Sequence, residues 1–309
     1  MAAQPFDDRD GWVWMDGEFV PHRDAKVHVL THALHYASAV FEGERAYGGV
    51  VFKGHEHSLR LHKSAKILGF QAPASVEDID KAKSDLINKL GFENCYLRAI
   101  AWRGSEQMGV AAKRDDTHMA IAAWEWGDYF ADKMKGVRLM IAPWRRPAPD
   151  TSPWNSKAAG LYMICTLSRH AANDAGFDDA IMMDWRGQVA EGTGANIFFV
   201  RDGVLHTPFP DCFLNGITRQ TVIALARANG VEVQERAIWP SELVTFDEAF
   251  LTGSAAEITP IREIAGLAFK PGKMTEQLMA GFSALTRRKN AVHEDAFHAT
   301  RSFPAPPLH

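Results

Sequence analysis

The chain has 309 residues, of which 46% are apolar and 23% charged, and its net charge is −4 at pH 7. This length predicts two domains with sizeable cores, and the charge balance gives no long-range attraction to nucleic acid or anionic lipid. No apolar run approaches the roughly 20 residues that cross a bilayer, and the acidic N-terminus lacks the apolar segment of a secretory signal. The three cysteines stand apart and form no C-x-x-C pair, which argues against a disulfide framework and against zinc. We therefore expect a cytoplasmic protein without a metal, a nucleic-acid partner or a membrane anchor.

The first part of the chain predicts a mixture of strands and helices. Two turns, Asp16-Gly17 and Gly48-Gly49, favour tight hairpins because both positions of such a turn adopt positive φ. Ser75 is placed to cap a helix, and Gly69 and Gly91 are placed to end one each. The predicted elements are strands at 13–15, 18–20, 44–47, 50–53, 95–102 and 118–126, and helices at 55–68 and 75–90.

A polar stretch at 128–136 separates this part from the next and predicts a linker. A proline-rich loop at 143–153 then precedes further alternating segments. The predicted elements are strands at 137–142, 180–184, 196–200, 204–207, 231–238 and 249–252, and helices at 159–175, 217–228 and 275–290. The sequence thus predicts an α/β protein with mixed α+β sheets, with a small N-terminal domain at 1–127 and a larger C-terminal domain at 137–309.

Several common catalytic motifs are absent or incomplete. The run from Gly192 to Ile197 begins like G-x-G-x-x-G, but it ends on isoleucine and leads into a strand, which disfavours a dinucleotide fold. There is no phosphate-binding G-x-x-x-x-G-K and no G-x-S-x-G nucleophile turn. His55-Glu56 and His293-Glu294 begin like a zinc helix but lack its second histidine, and His32 and His35 lie near a turn. We interpret these histidines as structural.

Four features suit an anionic cofactor that carries a carbonyl group. Gly216-Ile217-Thr218 opens a helix, whose free N–H groups favour phosphate. The turn of small residues at 253–256 follows a strand and exposes further N–H groups. Glu191 ends a strand pattern, and Lys157 stands between the proline-rich loop and a helix. Taken singly, the lysine and glutamate are typical of a solvated surface, and the helix start is an ordinary cap.

The order of these features resembles a known family. The stretch from Glu191 to Phe198, followed by Leu205-His206-Thr207 and by the run from Leu214 to Arg219, resembles the signature of class IV pyridoxal-phosphate aminotransferases. The likeness extends from Trp12 to Lys289 and is strongest to the branched-chain amino acid aminotransferases. Segments that carry this narrower likeness are 32–36, 40–45, 96–98, 108–110, 126–127 and 253–260. The resemblance implies a two-domain fold-type IV enzyme, similar to D-amino-acid aminotransferase, with the lysine in its larger C-terminal domain.

The resemblance implies a role for each cofactor-binding residue. Lys157 forms the Schiff base with pyridoxal phosphate and then moves the proton of the substrate carbon. Glu191 keeps the pyridine nitrogen protonated, so that the ring can accept electrons. Tyr162 hydrogen-bonds the phenolic oxygen of the cofactor. The phosphate is held by Arg60, Ile217 and Thr218, and Ser254 is a further cofactor-binding residue.

The substrate residues follow from the same resemblance. Tyr96 and the Ser254–Ala255 turn hold the α-carboxylate, and Arg98 meets the second carboxylate of glutamate. An apolar pocket for the branched side chain is lined by Tyr36, Phe41, Met108, Val110 and Trp126. This sequence departs from the family at Ala195, where glutamate is frequent, and at Ser254, where threonine is frequent but the hydroxyl is kept.

The implied reaction interconverts leucine, isoleucine or valine and their 2-oxo acids, with glutamate and 2-oxoglutarate as the partner pair. The resemblance also implies a homodimer or a higher oligomer such as a hexamer. Alternatives on the same fold are a D-amino-acid aminotransferase, an amine transaminase and aminodeoxychorismate lyase, and another is a non-catalytic pyridoxal-phosphate-binding protein. The D-amino-acid enzymes have a histidine two residues after the arginine of this strand, where the present chain has Ile100.

Overall fold

The fold is described from a computed structural model, which covers residues 4–127 and 133–287. The chain divides into two compact units, unit 1 with residues 1–128 and 148–165, and unit 2 with residues 129–147 and 166–309. The start of the predicted linker (128–132), the end of the last predicted helix (288–290) and the proline-containing tail lie outside the described residues. Within those residues, no helix combines the length and the apolar character needed to cross a membrane.

Unit 1 contains one antiparallel sheet covered by two long helices. Its strands are β1 (Trp12–Met15), β2 (Glu18–Pro21), β3 (Ala39–Phe41), β4 (Glu44–Tyr47), β5 (Val50–Val51), β6 (Cys95–Arg103) and β7 (Thr117–Glu125). They pair in the order β2-β1-β7-β6-β4-β5, and β3 also pairs with β6. The helices are α1 (His32–Tyr36), α2 (Gly54–Ile67) and α3 (Val76–Leu90), with 3-10 turns at His22–Asp24 and Ala159–Tyr162.

The turn and capping residues of unit 1 act as predicted. Asp16 and Gly17 have φ of 48° and 100°, and they join β1 to β2. The Ser75 hydroxyl accepts a hydrogen bond from the N–H of Asp78 at 3.1 Å, and Gly91 ends α3 with φ of 70°. The apolar stripes of α2 and α3 pack on the sheet in one core, whose members include Leu61, Ile79, Leu86, Leu97 and Met119.

Unit 2 contains a mixed sheet. Its strands are β8 (Val137–Ile141), β9 (Asp179–Met183), β10 (Val189–Gly192), β11 (Asn196–Arg201), β12 (Val204–Pro208), β13 (Val233–Arg236), β14 (Glu248–Gly253), β15 (Glu257–Ile264) and β16 (Leu267–Ala268). The order is β10-β9-β8-β15-β14-β11-β12-β13, with β16 on β15, and the pairs β8–β9, β8–β15 and β12–β13 are parallel. The longer helices are α4 (Met163–Asp174), whose first three residues belong to unit 1, α5 (Ile217–Ala228) and α6 (Lys273–Thr286), and Pro240–Thr245 forms a 3-10 turn. The predicted mixed α/β class is confirmed.

The structure differs from the predicted elements where local signals are weak. β15 has no counterpart in the prediction, since Pro260 lies in its middle and proline is usually confined to edge strands. The predicted helix 159–175 begins as a 3-10 turn and becomes α-helical only at Met163. The predicted strand 231–238 is reduced to Val233–Arg236.

The grouping of Lys157 also differs from the expected domains. The lysine was expected in the C-terminal domain, but its segment, Ala148–Cys165, belongs to unit 1. The physical reason is a set of backbone contacts: Val40 of β3 forms a β-bridge with Ala158, and the Phe41 N–H donates to the Lys157 carbonyl at 3.1 Å.

Candidate active site

Lys157 lies in a loop whose backbone is fixed on two sides. Its carbonyl accepts the hydrogen bond from Phe41 in β3, and its own N–H donates to the Ser64 hydroxyl of α2 at 3.0 Å. The 3-10 turn Ala159–Tyr162 begins two residues later. The backbone of Lys157 is thus hydrogen-bonded to both a strand and a helix.

The Lys157 amine meets two predicted site residues. Nζ donates to the Tyr162 hydroxyl at 2.8 Å and lies 4.9 Å from the centre of the Phe41 ring. The two rings contact each other edge to face at 4.8 Å. Because aromatic faces favour a nearby cation, they hold the long lysine side chain in one place. The structure therefore brings Lys157, Tyr162 and Phe41 together.

Arg60 of α2 is fixed by a fully buried carboxylate. Its Nε and Nη2 donate to Oε1 and Oε2 of Glu42 at 2.6 and 2.7 Å, and His57 Nδ1 lies 2.6 Å from Oε2. Burial alone would raise the pKa of Glu42, but Arg60 and His57 hold it well below its usual range. Arg60 Nη1 has no hydrogen-bond partner among the described residues, so the guanidinium keeps a donor for an anion. Sequence reasoning identified Arg60 but not Glu42.

Tyr96 and Arg98 share one face of β6. The Tyr96 ring contacts the rings of Trp124 and Trp126 at 5.0 and 5.3 Å, and its hydroxyl accepts from Arg98 Nη2 at 3.3 Å. The Arg98 guanidinium lies 4.7 Å from the centre of the Phe41 ring. Arg98 Nε is buried and has no hydrogen-bond partner in residues 4–127 or 133–287. Arg98 is therefore attached to the aromatic group around Lys157, with donor capacity left over.

Three predicted pocket residues stay open to solvent in the single chain. Tyr36 is 44%, Met108 42% and Val110 83% exposed. His32 connects their two segments, because its ring lies 4.6 Å from that of Tyr36 and its Nε2 is 2.8 Å from the Gly109 carbonyl oxygen. These three side chains form an exposed apolar edge of unit 1, whereas Trp126 is half-buried beside Tyr96.

Glu191 in β10 of unit 2 is 5% exposed, and both of its carboxylate oxygens have polar partners. Arg146 Nη2 lies 2.8 Å from Oε1, and the Asn196 amide donates to Oε2 at 3.0 Å. A β-bulge between Val189 and Glu191 sets the direction of this side chain. Arg146 was missed because it lies in the proline-rich loop, where the sequence gives no sign of its partner. Asn196 was visible only as a letter of the family signature.

The start of α5 combines two other predicted residues. Ile217 and Thr218 form its first turn, where N–H groups have no acceptor within the helix. Gly216 is the N-cap residue, and because it has no side chain it offers no acceptor to the N–H groups of the first turn. The helix dipole adds positive potential there. This is the donor arrangement that a phosphate requires.

The second turn of small residues in unit 2 follows β14. Ser254 is half-buried and Ala255 is exposed between Gly253, which ends β14, and Glu257, which starts β15 with φ of 53°. A Cβ on Gly253 would lie 3.6 Å from the Cβ of Ala195. The residue at which this chain departs from the family thus packs beside this turn.

A cluster elsewhere in unit 2 is explained by ion pairing. Ligand atoms of Asp184, Asp211 and Cys212 lie within 4.8 Å of one another. Arg186 donates to both carboxylates, with Nε 2.8 Å from Asp184 and Nη1 2.8 Å from Asp211. Burial raises the pKa of the Cys212 thiol to about 12, so the thiolate that a metal prefers is disfavoured.

Comparisons with known proteins agree with this chemistry. The family profile described as amino-transferase class IV matches residues 39–264. The branched-chain-amino-acid aminotransferase of Pseudomonas aeruginosa is 40% identical over 297 residues, covering 93% of this chain and 97% of that protein. The Escherichia coli K12 protein of the same name is 40% identical over 285 residues, covering 89% and 92%.

Solved structures show the same likeness. The T.th. branched-chain amino acid aminotransferase with pyridoxamine 5'-phosphate has a TM-score of 0.89 and 36% identity, covering 93% of this chain and 97% of that one. The same enzyme has been solved with N-(5'-phosphopyridoxyl)-L-glutamate, with a TM-score of 0.89, 37% identity and the same coverage. The Thermoproteus uzoniensis branched-chain aminotransferase with norvaline has a TM-score of 0.88 and 38% identity, covering 92% and 97%.

Proposed function

We propose that this chain, which belongs to the class IV aminotransferases and among them to the branched-chain-amino-acid aminotransferases, transfers the amino group of leucine, isoleucine or valine to 2-oxoglutarate. The observation that carries the proposal is the Lys157 amine, held 2.8 Å from the Tyr162 hydroxyl on a doubly anchored backbone. The cofactor is pyridoxal phosphate, and structural relatives have been solved with its derivatives.

The donors of each unit fit the groups of this cofactor. In unit 1 an amine and a phenol lie together, which suits a carbonyl beside a phenolic oxygen. In unit 2 a buried carboxylate suits a protonated ring nitrogen, and the first turn of α5 suits a phosphate. When bound, pyridoxal phosphate supplies a carbonyl for the substrate amine and a ring that accepts electrons.

Lys157 acts as the general base of the reaction. Its Nζ would take the proton from the α-carbon of the amino acid and deliver it to the C4′ carbon of the bound cofactor, and in the opposite half-reaction it would carry a proton from C4′ to the α-carbon derived from the 2-oxo acid. The Tyr162 hydroxyl and the Phe41 ring keep Nζ in one position, which lowers the entropic cost of that transfer. Glu191 balances the ring-nitrogen charge, Arg60 holds the phosphate, and the turn at Ser254–Ala255 binds the substrate carboxylate.

The aromatic group around Tyr96 serves two kinds of substrate. The Phe41 and Trp126 rings offer apolar surface to a branched side chain, and the Arg98 guanidinium beside them meets the distal carboxylate of glutamate. Arg98 lies against the Phe41 ring, so its charge is partly shielded when leucine is bound. This arrangement supports alternating recognition of leucine and glutamate.

We further propose that the protein works as a homodimer or a larger homo-oligomer in the cytoplasm. The exposed apolar edge of unit 1 includes more than the predicted pocket residues Tyr36, Met108 and Val110, the last of which is 83% exposed. Two further apolar side chains close in sequence to Tyr36 are also open to solvent, Val29 at 73% and Leu34 at 64%. Proteins that remain monomeric rarely expose contiguous apolar patches of this kind. A second copy of the chain would cover these side chains, and buried free cysteines suit a reducing compartment. Sedimentation of the wild type as a monomer would contradict the assembly.

The test mixes the holoenzyme with L-leucine and, separately, with D-alanine while the cofactor absorbance is followed. L-leucine should remove the absorbance band of the lysine-linked cofactor, and D-alanine should leave it unchanged. Lys157→Ala should lose turnover by roughly a thousandfold or more, whereas Lys63→Ala, on the exposed face of α2, should not.

Each other outcome points to a different function. A response to D-alanine alone would identify a D-amino-acid aminotransferase. A cofactor band that no amino acid changes would identify a non-catalytic binding protein. Near-normal transamination by Lys157→Ala would show that Lys157 is not the general base, and the proposed mechanism would be wrong.

A further inference from the structure

Asn196 is a buried amide whose three hydrogen bonds reach two parts of unit 2. Its Nδ2 donates to Glu191 Oε2 at 3.0 Å and to the Leu214 carbonyl at 3.0 Å. Its Oδ1 accepts from the Gly216 N–H at 3.1 Å. Two acceptors thus surround Nδ2 and one donor faces Oδ1, so only this orientation of the amide satisfies all three partners.

The neighbouring glycine shows that this contact is built into the fold. A Cβ on Gly216 would lie 2.4 Å from Asn196 Oδ1, a distance that a real side chain does not tolerate. The φ of Gly216 is −62°, which any residue can adopt. Glycine is therefore required here by the close approach of Asn196 and not by the backbone conformation.

We propose that Asn196 is a positioning residue that couples the Glu191 carboxylate to the N-terminus of α5. The inference rests on the proposed function, in which Glu191 serves the ring nitrogen and α5 serves the phosphate. The Asn196 side chain then fixes the position of Glu191 relative to the start of α5. Binding of a ligand at either place therefore orders the other place and raises its affinity. Coupling of this kind is reciprocal, because each ligand changes the affinity for the other by the same factor.

The test uses two separate probes on the protein freed of cofactor. Pyridoxal, which lacks the phosphate, reports on the ring contact, and inorganic phosphate reports on the start of α5. Binding of each is measured by quenching of tryptophan fluorescence, with and without the other at saturation. In the wild type, each probe should tighten the binding of the other by about fivefold or more.

Three variants separate coupling from folding. Asn196→Ala should abolish the mutual tightening and weaken binding of pyridoxal phosphate by roughly tenfold or more. Asn196→Asp keeps the acceptor for Gly216 but loses the donor to Glu191, so it should also lose the coupling while α5 starts as before. Gly216→Ala adds a Cβ that should displace the Asn196 amide from the α5 side, so this variant should also lose the mutual tightening.

The matched control is Asn229, at the far end of α5. Its Nδ2 also donates to a backbone carbonyl, that of Leu225, at 2.7 Å. Asn229→Ala should retain the coupling. Circular dichroism identifies any variant that does not fold, and the remaining variants decide the result.

The outcomes distinguish the inference from the proposed function. If the wild type binds both probes without mutual tightening, or if folded Asn196 variants keep it, the coupling role is wrong and the aminotransferase proposal is unaffected. If the wild type binds neither pyridoxal nor pyridoxal phosphate, the proposed function itself fails.

Discussion

The Glu42 carboxylate and the Arg60 guanidinium form a two-point ion pair, with Oε1–Nε at 2.6 Å and Oε2–Nη2 at 2.7 Å. Glu42 follows β3 and is fully buried, whereas Arg60 lies on α2 with 14% of its side chain exposed. The pair therefore determines where the guanidinium of Arg60 stands relative to the strand that anchors Lys157.

Replacing Glu42 with glutamine should destabilise the protein, because it leaves a guanidinium without its buried counter-charge. We expect the free energy of unfolding to fall by about 3–5 kcal/mol, as for other broken buried pairs. The lowered pKa of Glu42 stabilises the fold above pH 4.5, its unfolded value, and this stabilisation is lost as the pH falls. Urea unfolding at pH 7 and pH 4 measures both effects. Glu56→Gln, which removes a half-exposed partner of Lys53, should cost about 1 kcal/mol or less, and an equal loss in both variants would contradict the role of burial.

Gly43→Ala should disturb Tyr96 directly. A Cβ at Gly43 would lie 2.0 Å from the Tyr96 hydroxyl oxygen, and the neighbouring rings of Trp124 and Trp126 restrict the Tyr96 ring. We expect a loss of about 1–3 kcal/mol in the free energy of unfolding and a higher KM for both amino-acid substrates. Gly127→Ala, where a Cβ meets nothing within 4 Å, is the control. Unchanged KM and stability in Gly43→Ala would show that Tyr96 moves freely.

Arg98→Met should separate the two half-reactions. Glutamate and 2-oxoglutarate lose a charge-assisted hydrogen bond, so their kcat/KM should fall by about 1.5–3 kcal/mol, or roughly ten- to 150-fold. Leucine should change several-fold at most. Stopped-flow measurement of each half-reaction gives the two values, and Arg103→Met, on the same strand but bonded to the carbonyls of Leu68 and Gly69, should alter neither. Equal losses of kcat/KM for leucine and glutamate would show that Arg98 does not distinguish the two substrates.

Glu191→Gln should slow catalysis more than it weakens cofactor retention. A neutral amide cannot balance a protonated ring nitrogen, while the donors at the start of α5 remain. Single-turnover rates and the dissociation constant of pyridoxal phosphate measure the two effects. Glu263→Gln removes another carboxylate–arginine pair of unit 2, in which Arg138 Nε lies 2.7 Å from Glu263, and should change neither quantity. A Glu191→Gln enzyme with unchanged rates would place this carboxylate outside the site.

His118 should make the stability of unit 1 depend on pH. Partial burial would lower its pKa, but Asp16 and Glu106, 2.6 and 2.7 Å from its ring nitrogens, raise it above 6.5. A raised pKa stabilises the fold below the unfolded value, and this stabilisation disappears as the pH rises through the folded value. The free energy of unfolding of the wild type should exceed that of His118→Gln by about 0.5 kcal/mol at pH 6, a small difference because solvent screens the ion pairs. At pH 9 the two free energies should be equal. If the difference in the free energy of unfolding between wild type and variant grew with pH, the raised pKa of His118 would be refuted.

Local signals in the sequence were sufficient for most elements and for part of the site. Asp16-Gly17 and Gly48-Gly49 determine hairpins through the few φ values that such turns allow, and Ser75 and Gly91 determine the ends of α3. Lys157 and Tyr162 lie five residues apart, with Tyr162 at the end of a 3-10 turn, and their side chains meet. These features depend on residues close in sequence, so a single chain is enough to predict them.

The partners of the site residues depend on tertiary structure alone. Glu42 pairs with Arg60, which is 18 residues away in the sequence. Arg146, in the proline-rich loop, pairs with Glu191 in β10. No periodicity marks such pairs, because a buried charge is stable only with a partner that the fold brings to it. The sequence by itself thus determined the turns, the helix ends and the residues with suitable chemistry. Only the packing of strands and helices decided which charges neutralise one another, and that Lys157 belongs with unit 1 through its bonds to β3 and α2.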